Sequence, residues 1–112
     1  QLTRRGVIGS FGHRIDPAAI GYPLTAFITI QVVQRELAAV SAAMSDIPEI
    51  IEVHGISGED DLLARAVARD AEHLYEVAGR VLGTPGVERT RTALVMRDLV
   101  NHRISPLLDR LT

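Results

Sequence analysis

Three carboxylates in a row follow a glycine at Gly58-Glu59-Asp60-Asp61, with Ser57 just before them, and two hydroxyls stand two residues apart at Thr90 and Thr92. A carboxylate takes an ammonium group, and open backbone N–H groups in a turn take a carboxylate. A free amino acid carries both. Each feature also has a plain explanation: an acidic hairpin turn is solvated, and threonine suits a strand. Other chemistry lacks its residues. His13, His54, His73 and His102 form no His-x-x-x-His or His-Glu-x-x-His pair, so no metal site and no cofactor is expected. None has a carboxylate partner by spacing; His73 reads as a solvated helix residue and His54 as a packed strand residue. Gly55-Ile56-Ser57-Gly58 lacks the lysine of a phosphate loop. Ser10, Ser57 and Ser105 show no nucleophile-elbow pattern.

The elements that must position these residues follow from periodicity and punctuation. Gln1 to Ile8, with Gly6 as a stop, reads as a helix end or loop; Val7 to Ile15 could form a short strand, and Asp16-Pro17 and Gly21-Tyr22-Pro23 are turns. Leu24 to Val33 is β-branched and apolar, a strand. Leu37, Val40, Met44 and Ile47 fall at helical spacing up to Pro48. Ile50 to Ser57 and Leu62 to Arg69 read as a second and third strand, joined as a hairpin by a three-residue acidic turn. Asp70 caps a helix carrying Leu74, Val77, Ala78, Val81 and Leu82, stopped at Gly83. After Pro85-Gly86, Val87 to Arg97 is a fourth strand, and Asn101 to Thr112 is a tail whose leucines could dock. From Leu24 on, the order is βαββαβ, an α+β ferredoxin-like fold with an antiparallel sheet. Residues 1–15 precede it as a lead-in, 16–100 form the domain and 101–112 the tail.

Composition bounds the rest. The chain has 112 residues, room for one domain, and 46% of them are hydrophobic. Cysteine is absent, which removes thiolate chemistry and disulfides and agrees with a cytoplasmic protein. No apolar run is long enough to span a membrane. All 12 basic residues are arginine, and the net charge of −2 argues against nucleic acid as the main partner of these residues.

Both helices of this fold cover one sheet face. Ala26, Ile28, Ile30 and Val32 alternate with Phe27, Thr29 and Val33; Ile51 and Val53 with Ile50 and Ile56; Leu63 and Val67 with Leu62, Ala64, Ala66 and Ala68. Neither face is consistently polar, so the open face is expected to pack against a second copy, unless the tail covers it.

Four stretches carry a resemblance. "LTRRGVIGSF", "IDPAAIGYPLTAFITI", "IPEIIEVHGISGEDDLLARAVARD" and "LGTPGVERTRTALVM" occur in the order found in the leucine-responsive regulator/AsnC (Lrp/AsnC) family of transcription factors, and the chain resembles the family's C-terminal effector-sensing domain. The resemblance implies dimers paired through facing sheets, of the dimeric α/β barrel type, assembling to octamers. It implies an amino acid effector bound between dimers, and DNA contacted through an upstream helix-turn-helix of which Arg4 and Arg5 would be the last trace. Matched by motif, Gly58 and Asp61 are the turn residues of the pocket, with Ser57, Glu59 and Asp60 alongside, and Thr90 and Thr92 are its strand residues. Asp60 stands where the family often has an aromatic, which makes the pocket more acidic and implies a polar or basic amino acid as effector, or a weak response. The alternatives from outside the family's function are a small dimeric cofactor-free enzyme, of monooxygenase or isomerase type, and a stand-alone sensing domain.

Overall fold

The structure, a computed structural model, describes residues 15–111. The lead-in strand expected over Val7 to Ile15, and Arg4 and Arg5, lie outside or at the margin of that range. A short 3-10 turn, Pro17–Ile20, is capped by the Asp16 side chain, which accepts from Ala18 N–H, and is ended by Gly21 at φ 98°. The domain then runs β1 (Leu24–Val32), α1 (Leu37–Met44), β2 (Ile50–Gly55), β3 (Leu62–Ala68), α2 (Ala71–Leu82), β4 (Val87–Leu94) and a short α3 (Ser105–Asp109). The four strands form one antiparallel sheet ordered β2-β3-β1-β4. This is the α+β order expected from the sequence.

One face of the sheet makes the core. Ile28, Ile30 and Val32 of β1 and Leu62, Ala64 and Ala66 of β3 pack against Val40 and Met44 of α1 and Val77 and Val81 of α2. The alanines of β3 leave room for helices to approach closely. Asp70 caps α2 as expected, its side chain accepting from His73 N–H at 2.8 Å. Gly86, at φ 97°, lets the chain turn into β4 beneath α1: a Cβ there would lie 2.7 Å from Glu36 Cβ and 2.9 Å from Val40 Cγ2.

Several boundaries differ from the sequence reading. α1 closes at Met44 because the chain tightens through Asp46 N–H to Ala43 O and Ile47 N–H to Met44 O, while Ile47 still packs in the core. β2 ends at Gly55, two residues before Ser57, so the hairpin link is the six-residue stretch 56–61, closed by Ile56 N–H to Asp61 O. β4 ends at Leu94 instead of Arg97, and just past it Val95 N–H donates to Thr25 O. A bulge lies between Ile50 and Glu52. It puts Ile50 and Val53 against the core and turns Ile51 outward, whereas strict alternation pairs Ile51 with Val53. The tail does not cover the open face: Leu107, Leu108 and Leu111 are exposed.

Candidate functional site

The top of the sheet, where β1 ends, collects the hairpin link. Asp61 fastens it. Its backbone N–H donates to Ile30 O at 3.0 Å. Its carboxylate accepts from Val32 N–H at 2.9 Å and from Gln34 Nε2 at 2.7 Å. Both oxygens are thus engaged, so Asp61 is a structural anchor as well as a turn residue. Glu59 O accepts from Gln31 Nε2 at 3.3 Å, and Gln31 Oε1 in turn accepts from Arg89 at 3.0 Å, which ties the link across β1 to β4. Gly58 takes φ 110° with open space where a Cβ would sit, and Ser57 is exposed. No ion pair among the described residues involves the Glu59 or Asp60 carboxylate. Of the three acids, Asp61 is the one whose carboxylate is hydrogen-bonded, while Glu59 is exposed and Asp60 half-buried.

Thr90 pairs with Ile30, and Thr92 with Ile28. Directly opposed residues share a face, so both hydroxyls lie on the helix side of the edge strand. Thr90 is half-buried and Thr92 exposed. Thr90 reaches the same end of the sheet as Asp61, with β1 between them, a separation of about two strand spacings or ~10 Å. Thr92 sits two residues further down. The fold therefore gathers the link and Thr90 at one end and leaves Thr92 beside it.

The bottom of the sheet holds residues that sequence reasoning missed. His73 is only 6% exposed, a correction to its expected solvated position. Its Nδ1 accepts from Arg69 N–H at 2.9 Å, which fixes the proton on Nε2, and Nε2 donates to Glu49 Oε2 at 3.0 Å. Tyr22 packs beside the imidazole, ring centroids 6.0 Å apart. Arg80 approaches Glu49 Oε1 at 3.5 Å. Burial raises the Glu49 pKa, but the hydrogen bonds from His73 and from its own backbone, with the Arg80 guanidinium nearby, outweigh it and hold the carboxyl below its ordinary value. His54 also has a carboxylate neighbour, Glu52 at 3.7 Å, so two histidines contradict the expectation of none. The partners of His73 are 24 and 4 residues away, and only folding joins them.

Beside Glu49 lies a cleft of about 350 Å³ lined by Ile15, Pro17, Ile20, Tyr22, Pro48, Ile51, Glu52, Arg65 and Val67. It opens on the helix-free face. That face carries Phe27, Thr29, Leu63 and Arg65 at its centre, and Thr29 Oγ1 and Arg65 Nε are buried there without a hydrogen-bond partner. No group of three or more metal-ligating side chains occurs among the described residues.

Residues 25–104 match the family described as the Lrp/AsnC ligand binding domain. The chain belongs to that family. Its relatives are transcriptional regulators, not enzymes, so the reading as a cofactor-free monooxygenase or isomerase is set aside. HTH-type transcriptional regulator FL11 of Pyrococcus horikoshii is 33% identical over 97 residues, covering 87% of this chain and 64% of the relative. The chain thus spans under two thirds of the length of such relatives. TTHA0845 from Thermus thermophilus is similar at 33% identity and TM-score 0.65, over 70% of this chain and 99% of that one. The feast or famine regulatory protein of M. tuberculosis, solved in complex with L-methionine, shares the fold at TM-score 0.70 and 24% identity, over 80% of this chain and 60% of its own. No helix among the described residues is long and apolar enough to cross a membrane.

Proposed function

We propose that this Lrp/AsnC ligand-binding domain is the effector-binding and oligomerisation unit of an amino-acid-responsive transcriptional regulator. The observation that carries the reading is the link at 56–61: Asp61 is spent on holding it, while Glu59 and Asp60 keep unpaired carboxylates beside the open backbone of Gly58. An anchored loop with free charge is pre-organised for a small zwitterion. The L-methionine bound by the M. tuberculosis neighbour supports an amino acid as the class of effector. The acidic side chains at this end favour one with a polar or basic side chain.

Two copies pair through the open sheet face, whose buried, unpartnered Thr29 Oγ1 and Arg65 Nε await a neighbour. Dimers assemble further, to octamers, and the effector binds between dimers, where Thr90 and Thr92 add hydroxyls. By favouring one assembly over another, it changes the spacing of helix-turn-helix domains carried upstream, and so the contact with DNA in the cytoplasm. The ligand acts only through its differential affinity for the assemblies.

Calorimetry with each of the twenty amino acids tests the site. Binding of a polar or basic amino acid that Asp60→Ala weakens supports it. Tight binding of leucine or isoleucine alone contradicts the acidic preference. A second reading is a stand-alone sensing domain, favoured by TTHA0845, nearly all of which is covered by this domain. The reading frame upstream of Gln1 decides between the two.

A further inference from the structure

We propose that Gln31, with its side-chain amide set by Arg89, is a positioning residue for the 56–61 link, aiming the Asp60 N–H outward as the donor for the carboxylate of an amino acid. The proposal rests on the effector reading put forward above and adds the residues that prepare one half of the zwitterion's site.

The link keeps only part of its backbone free to bind. Ile56 N–H donates to Asp61 O, and Asp61 N–H donates to Ile30 O. Among the described residues, nothing in the chain accepts from the N–H groups of residues 57–60. A free N–H is a prepared donor only if its peptide plane is held, and one of these planes is. Gln31 Nε2 donates to Glu59 O at 3.3 Å. Glu59 O and Asp60 N–H belong to the same peptide unit. No peptide bond among the described residues is cis, so the two groups point in opposite directions. Holding the carbonyl in toward β1 therefore turns the Asp60 N–H away from it. Donation to the carbonyl also polarises the unit and strengthens its N–H as a donor.

The Gln31 amide is itself held. Its Oε1 accepts from Arg89 at 3.0 Å, so a turned amide would set donor against donor. No ion pair among the described residues involves Arg89, which leaves its charge to act along the amide toward Glu59 O. Gln31 and Arg89 are direct partners across the sheet. They lie on the helix-free face, since Ile30 and Val32 on either side of Gln31 enter the core. The register slips between Gln31 and Val32 and leaves Glu88 of β4 over. A bulge of this kind re-aims the side chains beside it. Guanidinium, amide and peptide thus line up head to tail and end on a free N–H at the top of the sheet. That N–H suits an anion, and the neighbouring acids suit an ammonium group.

Nuclear magnetic resonance tests the aim, and calorimetry tests its use. In the free chain, Gln31→Met should move the amide nitrogen resonance of Asp60 more than that of Gly58. An unmoved Asp60 resonance would overturn the proposal. Calorimetry then compares L-arginine, L-lysine and L-glutamine with their α-carboxamides, which keep the ammonium group and side chain and lose the carboxylate. In the wild-type chain at least one free acid should bind more tightly than its amide. Gln31→Met should narrow that ratio about tenfold, the loss of one charge-assisted hydrogen bond. Gln31→Glu keeps an acceptor for Arg89 but has no donor for Glu59 O, and should narrow it as much. Arg89→Met, which frees the amide to turn, should narrow it about threefold. Equal losses for acid and amide would mean that Gln31 only holds the loop, and would overturn the proposal, as would an unchanged ratio. Binding of none of the three amino acids, with the Asp60 resonance moving as expected, would instead overturn the polar or basic effector reading and the proposal with it.

Discussion

The two ends of the sheet hold their carboxylates in opposite ways. At the bottom, Glu49 is sequestered: a buried histidine, itself locked by a backbone N–H, donates to one oxygen, and an arginine approaches the other. At the top, one acid, Asp61, is tied by Val32 N–H and the Gln34 amide, and two more, Glu59 and Asp60, are left unpaired. The bottom uses charge to staple β2, β3 and α2 together. At the top, one charge anchors a loop whose other two acids enter no ion pair among the described residues. On the proposed reading, stability and recognition are separated by the length of a strand.

The largest effect should come from breaking the bottom staple. His73→Ala removes a buried ring, leaves Arg69 N–H without its acceptor and strands Glu49; a loss of about 3 kcal/mol is expected in urea unfolding. Effector affinity should be unchanged. If stability barely moves, the staple is not what joins these elements. Asp61→Ala should cost less, about 1–3 kcal/mol, because it orphans one half-buried N–H and frees the loop. It should also lower effector affinity, since Glu59 and Asp60 lose their support. Lost affinity at full stability would mean that Asp61 contacts the effector and is not the anchor.

The smallest effect is the most specific to the comparison. The folded pKa of Glu49 is depressed, so its contribution is fully present above the ordinary glutamate value of about 4.3 and is lost as pH falls through the lower folded value. Between about pH 5 and pH 3 the wild-type chain should lose stability more steeply than Glu49→Gln. Parallel acid profiles would show that Glu49 is not held in its charged form.

Much of this was readable from residue order. The alternation of Ala26, Ile28, Ile30 and Val32 against Phe27 and Thr29 defined β1 and its faces, and Asp70 with Gly83 bounded α2. The acidic link is visible as a run of charge after glycine between two apolar runs, a pattern that a solvated hairpin explains equally well on its own. What stayed hidden depended on contacts between distant residues. The bulge at Ile51 breaks the period of two, and it shows only in the register of β2 against β3. His73 reads as solvated from its place near the N-terminus of a helix; its burial is decided by Glu49, on another element. Asp61 was visible as a residue, but its commitment to Val32 is written only in three dimensions.

The central claim is that the top of the sheet takes an amino acid and that this changes assembly. Light scattering of the full chain during titration with each amino acid tests it most directly. The account predicts that at least one polar or basic amino acid shifts the mass distribution, and that Asp60→Ala removes the shift while leaving the melting temperature unchanged. A mass distribution indifferent to all twenty would contradict it.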